Sequence, residues 1–332
     1  MFPTAPASPA SAQPEPLEDF LSSLLPSAEL EPQALHRAMR HAVFPGGKRI
    51  RPRLLLTVSA ACAADEAETE LAMHAACAIE LIHSASLVHD DLPCFDDARQ
   101  RRGLPTVHLV YGEPLAVLAG DALLTRAFEI MAESPPRLAR RALRIVRLLG
   151  QATGSREGII GGQSLEQSSA FAAQALPLSK FASAATPIEG AAASGSPGAA
   201  AAEFAPDILD RYHAMKTAAL FRLAAEAGAV AAGATDASAW GEVGQCLGLA
   251  YQLADDLCDA CGSEAAAGKP VRRDQDLGRP NAVVVAGEQS TRVRLQGLLT
   301  QALARTVELA ADPKPLVSLI EELSGHFMRT TA

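Results

Sequence analysis

From Glu66 to Leu92 the chain is one long, largely apolar run that ends on the acidic pair Asp90-Asp91, and a second such run ends on Asp255-Asp256. Apolar residues at this density, without the alternation of a half-buried strand, read as helices that meet protein on much of their surface. Helical spacing recurs through Leu17–Leu25, Leu35–Phe44, Arg53–Ala64, Pro114–Glu133, Arg137–Thr153, Ile208–Ala232, Ala237–Asp259, Thr291–Ala311 and Pro315–Arg329. The hydrophobic share of 48% with only 4% aromatics leans on Ala and Leu, which suit a helical bundle better than a sandwich. The expected class is all-α, a single large helical bundle over residues 17–332.

The formal net charge is −9, with Lys+Arg 29 against Asp+Glu 38, so no global positive field attracts nucleic acid or an anionic membrane. A phosphate-bearing ligand would have to be held by local cations or through a metal. No uninterrupted apolar stretch reaches the length of a membrane span, and the Pro/Ala-rich leader, residues 1–16, lacks the charged and apolar regions of a signal peptide. Cytoplasmic residence without an integral membrane segment is the expectation. It follows that the six cysteines do not form a disulfide framework, and Cys258 and Cys261 read as two small residues on a helix. The stretch from about Ala172 to Pro206 is dominated by Ala, Ser, Gly and Pro and reads as a flexible insertion. Acidic clusters of the same kind flank it, which argues for one active site drawing on both halves.

Those clusters are Asp90-Asp91-Leu-Pro-Cys-Phe-Asp96-Asp97 and Asp255-Asp256-Leu-Cys-Asp259. On a helix, Asp255 and Asp259 share a face and can offer two carboxylates to one hard cation, with Asp256 beside them. Asp90 and Asp96 would diverge on a straight helix, so their convergence requires the helix to end or distort near Pro93; the alternative register pairs Asp90 with Asp97. A single cluster of this kind is also what a solvated helix end looks like. Two of them, each after a buried-looking helix, crowd like charges that cations must neutralise, and magnesium, which shares phosphate oxygens, suits that task. The complementary positive charge lies in Gly46-Gly47-Lys48-Arg49-Ile50-Arg51-Pro52 at a helix start, where backbone N–H groups also favour phosphate, and in Arg101-Arg102.

Taken together, Gly46–Pro52, Ile79–Gly103 (IELIHSASLVHDDLPCFDDARQRRG), Gly120–Leu124 (GDALL), Gly161-Gly162-Gln163, Lys216-Thr217 and Tyr251–Asp259 (YQLADDLCD) resemble the trans-isoprenyl diphosphate synthases, with the two aspartate-rich motifs in the same order. The resemblance implies an all-α fold around a deep central cavity, usually as a homodimer. It also implies a cluster of three Mg2+ ions on an allylic diphosphate, which departs as pyrophosphate to give an allylic carbocation that isopentenyl diphosphate attacks. Carried over by position, Asp90, Asp96 and Asp255 hold metal, with Asp91, Asp256 and Asp259 supporting. Arg101, Lys216, Thr217, Gln252 and Lys269 match the allylic site, and Lys48, Arg51, His83 and Arg102 the isopentenyl diphosphate site. His83 reads as a ligand contact, and the released pyrophosphate as the base for the last proton.

Ala85 and Ser86 lie about one helical turn before Asp90, toward where a growing prenyl tail would run. Both are small, as in the bacterial geranylgeranyl synthases that this chain resembles, so the implied product is C20. The alternatives are a C15 synthase or a non-catalytic partner of a heteromeric enzyme; retention of both aspartate motifs speaks against the latter. Lys48 and Arg51 speak against a terpene cyclase. Three features depart from the family pattern: Ala98-Arg99-Gln100 after the first motif, Glu166 where an aspartate is usual, and Gly278-Arg279-Pro280-Asn281 in place of a Gly-Lys-Ser-like segment.

Overall fold

The computed structural model describes residues 15–44, 46–172, 206–261 and 279–330. Most of the leader, nearly all of the insertion at 172–206, and Lys269 lie outside these residues. The chain forms helices α1 (Glu15–Leu24), α2 (Gln33–Val43), α3 (Ile50–Ala61), α4 (Glu66–Asp90), α5 (Val107–Tyr111), α6 (Glu113–Ala132), α7 (Ala139–Thr153), α8 (Ile159–Ala172), α9 (Pro206–His213), α10 (Ala219–Ala231) and α11 (Ser238–Cys261). Three more helices follow, Ala282–Ala286, Glu288–Leu309 and Lys314–Thr330. The all-α expectation holds. Helices α5, α8 and Ala282–Ala286 lie outside the helical stretches expected from the sequence because two are only five residues long and α8 carries Gly161-Gly162 in its first turn.

Contacts gather the chain into two compact units. The first holds residues up to Gly150 with Leu220–Gly244 and Thr306–Val317; the second holds Gln151–Ala219, Gln245–Arg305 and the residues from Ser318 on.

In the first unit α4 is the core helix. Its N-terminus is fixed by a capping box, in which the Glu68 N–H donates to the Asp65 carboxylate and the Asp65 N–H to the Glu68 carboxylate, both at 2.8 Å. Beyond that cap, Leu71, Ile79, Leu81 and Ile82 are fully buried. Each such side chain contributes about 1.5–3 kcal/mol, enough together to hold the helix in place despite polar residues among them. Contrary to the sequence reading, α4 is long and apolar enough to cross a membrane, but 78% of its most apolar window is buried inside the protein, as befits a core helix. Among the described residues the only strands are the pair Gln100–Arg101 and Leu104–Pro105, β1 and β2. Arg102 and Gly103 between them have φ of 54° and 80°, the positive values that a two-residue hairpin turn of the I′ type demands.

Glycine permits a close helix crossing in this unit. A Cβ on Gly228 of α10 would lie 2.4 Å from the Leu55 carbonyl oxygen of α3. We therefore expect Gly228→Ala to push the two helices apart and cost about 1–3 kcal/mol, read as a lowered Tm with unchanged helical circular dichroism at low temperature.

Candidate active site

In the first unit α4 stops at Asp90 and the chain doubles back. The Asp96 N–H donates to the Asp90 carbonyl at 2.9 Å, the Asp97 N–H to Leu92 O at 3.1 Å and the Ala98 N–H to Asp91 O at 3.2 Å. Pro93 therefore sits in a turn, and the six-residue spacing that a helix would have splayed is closed. Of the two registers open in the sequence, the backbone ties Asp96 to Asp90, while Asp97 is exposed with φ of 45°. Asp91 turns the other way. It is buried, and the Arg101 guanidinium clamps it, with Nη2 2.5 Å and Nε 3.1 Å from Oδ1. Burial holds the Asp91 carboxyl above its usual range although Arg101 pulls it down.

Just before the pair, His89 occupies the space that Gly120 leaves open, since a Cβ there would meet its ring at 2.1 Å. That explains the glycine of the Gly120–Leu124 motif.

The basic turn divides its cations. Lys48 is exposed, and the Arg51 guanidinium lies 4.8 Å over the ring of Phe221, a cation–π contact that fixes its direction. Arg49, which the sequence grouped with these two, points inward instead: it is 3% exposed and pairs with Glu18 and Glu80. His83 is partly buried. Its pKa lies well below the usual 6.5, first through burial and then through the charges of Arg51, Arg102, Arg101 and Arg49, so the ring is neutral. Ala85 has no solvent-accessible surface, whereas its neighbour Ser86 has some. Only Ser86 of the two borders open space.

In the second unit the helical ladder widens into a π-helical turn over Ala214–Ala218, which carries Lys216 and Thr217. Such single turns often present side chains at functional sites. Gly162 of α8 lets this turn approach, because a Cβ there would lie 2.5 Å from the backbone nitrogen of Lys216. One turn along α8, Glu166 receives the Lys216 ammonium on Oε2 and the Arg279 Nε on Oε1, the latter at 2.6 Å. The Thr217 hydroxyl donates to Gln252 Oε1, and Gln252 Nε2 donates to Asp256 Oδ1 at 2.7 Å. Asp256 also accepts the Ala282 N–H at 2.7 Å, and His213 Nε2 stands 3.3 Å away. Asp256 is thus buried and engaged on both oxygens, whereas Asp255 is partly exposed. Asp259, one turn on, is 6% exposed. Cys258 is buried on the same helix.

The two aspartate motifs follow one pattern. In each, the second aspartate of the pair, Asp91 or Asp256, is buried and held by protein donors, and the first, Asp90 or Asp255, lies nearer the surface. Both Asp91 and Asp256 were expected among the metal ligands; in the structure each carboxylate is engaged by protein donors. Among the described residues no three His, Cys, Asp or Glu side chains are already gathered as a metal cage. The remaining carboxylates are hard oxygen donors, which fits magnesium, an ion that takes one or two protein carboxylates and fills its shell with water and phosphate oxygen.

Four residues that the sequence reading passed over shape these sites: Glu80, Phe221, His213 and Glu18. A charge at position 80 between Ile79 and Leu81 was the one available signal, because a charged side chain in an apolar run is either exposed or paired.

Residues 32–312 match the polyprenyl synthetase family. The chain is 42% identical over 273 residues to a geranylgeranyl diphosphate synthase of Cereibacter sphaeroides, covering 82% of this chain and 81% of that protein. It is 42% identical over 297 residues to the geranylgeranyl diphosphate synthase of Rhodobacter capsulatus, covering 89% of each. Its fold matches that of a Helicobacter pylori geranyltransferase complexed with magnesium and isoprenyl diphosphate, with a TM-score of 0.69 at 29% identity over 95% of this chain and 94% of that one.

The neutral state of His83 has a measurable consequence. With its folded pKa below the unfolded 6.5, the unfolded chain binds the extra proton, so this residue's contribution to stability is present above about pH 6.5 and is lost as pH falls below it. His83→Gln should make the Tm fall less steeply between about pH 7 and pH 5 than it does in the parent, and the His83 ring resonances should stay those of the neutral form down to about pH 6.

Proposed function

This chain belongs to the polyprenyl synthetase family, and from that premise we propose that it condenses isopentenyl diphosphate with allylic diphosphates to form geranylgeranyl diphosphate. The observation that carries the reading is the shared design of the two aspartate motifs, each with one aspartate locked inward and its neighbour near the surface beside further carboxylates. We assign magnesium, as three ions, to Asp90, Asp96 and Asp255, with Asp259 in support. When bound, the metal supplies concentrated positive charge to the departing diphosphate and so lowers the cost of breaking the carbon–oxygen bond.

The protein's own groups do the rest. Arg101, Lys216 and Lys269 hold the allylic diphosphate by charge. Arg101 is oriented by Asp91, and Lys216 by Glu166. Thr217 gives its hydroxyl hydrogen to Gln252, so the hydroxyl oxygen keeps its lone pairs for the developing allylic cation, a fixed dipole that needs no reorganisation. Lys48, Arg51 and Arg102 hold isopentenyl diphosphate, and neutral His83 offers it an N–H. The released pyrophosphate takes the final proton.

The exposed apolar side chains Leu109 and Val110 on α5 with Val117, Leu118 and Phe128 on α6 support the further reading that the protein works as a homodimer. Light scattering should give twice the monomer mass, and Val117→Glu with Phe128→Glu should halve it.

Five variants test the assignment. Asp90→Ala or Asp255→Ala should lower turnover about a thousandfold or more, because several kcal/mol of charge stabilisation go with the ligand, while the circular dichroism stays unchanged. Lys48→Ala should raise KM for isopentenyl diphosphate about tenfold and leave KM for the allylic partner nearly alone. Purified enzyme given magnesium, isopentenyl diphosphate and an allylic starter should release mainly C20 product. Ser86→Tyr should shorten it to C15, whereas Ala85→Tyr, forced into a fully packed position, should first lower the Tm. A C20 product from Ser86→Tyr would place the floor of the tail channel elsewhere.

A further inference from the structure

Glu80 is 2% exposed, in the middle of α4 between Ile79 and Leu81. A carboxylate there is tolerated only with close counter-charge. It has two guanidinium groups on one oxygen: Arg49 Nη1 at 2.5 Å and Arg102 Nη2 at 3.7 Å from Oε1. These arginines come from different loops, one from the Gly46–Pro52 turn and one from the tip of the β1–β2 hairpin. Arg49 also has a left-handed backbone, φ 46°, a conformation that residues with a side chain adopt only when their surroundings impose it, and Arg102 has φ 54° as its hairpin turn demands. Only four non-glycine residues with positive φ occur among the described residues, and two of them are the partners of Glu80.

The two loops interlock around it. A Cβ on Gly47 would lie 2.9 Å from Arg102 Cζ, so the glycine makes room for the guanidinium. Glu18 of α1 braces Arg49 from the other side at 2.7 Å and 3.1 Å, and the Arg49 Nη2 also donates to Val43 O at 2.9 Å. From Glu80 to Asp91 is about three helical turns, so the two acids leave α4 in nearly the same direction. Asp91 takes Arg101 and Glu80 takes Arg102. Adjacent arginines are thereby held apart, each by its own buried carboxylate.

We propose that Glu80 is a positioning residue of the isopentenyl diphosphate site. Through Arg49, the N-cap of α3, it locks the turn that presents Lys48 and the helix start that presents Arg51, and through its own ion pair it directs Arg102 to that same site, while Asp91 keeps Arg101 for the allylic diphosphate. The inference rests on the substrate assignment of Lys48, Arg51 and Arg102 given above. Glu80 touches no substrate, and its effect is on binding of one of the two.

The test is steady-state kinetics of the full-length enzyme with each substrate varied in turn, alongside thermal melts. Glu80→Gln keeps the shape and removes the charge. It should raise KM for isopentenyl diphosphate by about tenfold or more, with KM for the allylic substrate changed less than about twofold. If Glu80→Gln does not fold, Glu18→Gln relaxes Arg49 alone from a partly exposed position, and should raise the isopentenyl KM about threefold with an unchanged allylic KM and melting temperature. A folded Glu80→Gln with both KM values unchanged, or with both raised equally, overturns the proposal; so does an unfolded Glu80→Gln together with an isopentenyl KM unaltered in Glu18→Gln. Lys48→Ala, run in parallel, separates the two levels. If it leaves the isopentenyl KM unchanged, the site assignment itself falls, and the role of Glu80 with it.

Discussion

The constraint on which the first unit turns is that α4 must be buried and must still deliver charge. Nearly every face of this helix meets protein, yet it carries Glu80 and His83 within its apolar length and ends on Asp90 and Asp91. A buried carboxylate left alone would cost more than the neighbouring leucines and isoleucines return, so each acid that points inward is paired with arginine from the basic turn or the β1–β2 hairpin. The loops are then no longer free to wander. In the basic turn the left-handed Arg49 is held by its ion pairs to Glu18 and Glu80, and at the tip of the β1–β2 hairpin the left-handed Arg102 fits the turn and pairs with Glu80.

The same economy governs the second unit. Asp256 has its carboxylate filled by Gln252 and the Ala282 N–H, with His213 alongside, so its charge is spent inside the protein. What it secures is the orientation of Gln252, which in turn fixes which way the Thr217 hydroxyl hydrogen points. The π-helical turn matters here because a regular helix from α9 through α10 would rotate Lys216 and Thr217 relative to the residues that follow. The extra residue in the turn, packed against Gly162, sets both side chains toward α8 and α11.

The helical class was legible because apolar spacing is a property of the segment itself, and the long helices fell within a few residues of their sequence-read ends. The aspartate motifs were legible as chemistry for the same reason. What the sequence could not resolve was direction. Asp90 and Asp91 are adjacent letters, but one is partly exposed and the other is buried and captured by Arg101, and the register choice between Asp96 and Asp97 depended on a turn held by backbone hydrogen bonds from positions 96, 97 and 98. Arg49 looked like Lys48 and Arg51. Its inward path is set by Glu18 and Glu80, which lie far away in sequence, and no local pattern encodes such a pairing. Ala85 and Ser86 were equivalent as small residues and differ only in what packs on them.

Two departures from the family pattern acquire a common explanation in the structure. Glu166, where an aspartate is usual, and Arg279, where a Gly-Lys-Ser-like segment is usual, meet each other: Arg279 Nε lies 2.6 Å from Glu166 Oε1, and the second carboxylate oxygen takes Lys216. The distance between α8 and the π-helical turn is already set by the close approach at Gly162, so α8 cannot shift to adjust the reach. Glutamate extends its carboxylate by one further carbon–carbon bond, about 1.5 Å, and that extension lets a single group serve both cations. An aspartate at 166 would be left with one of them. Taken singly, each substitution weakens the resemblance; as a pair they conserve the charge balance around Lys216, with the longer acid matched to the always-charged arginine.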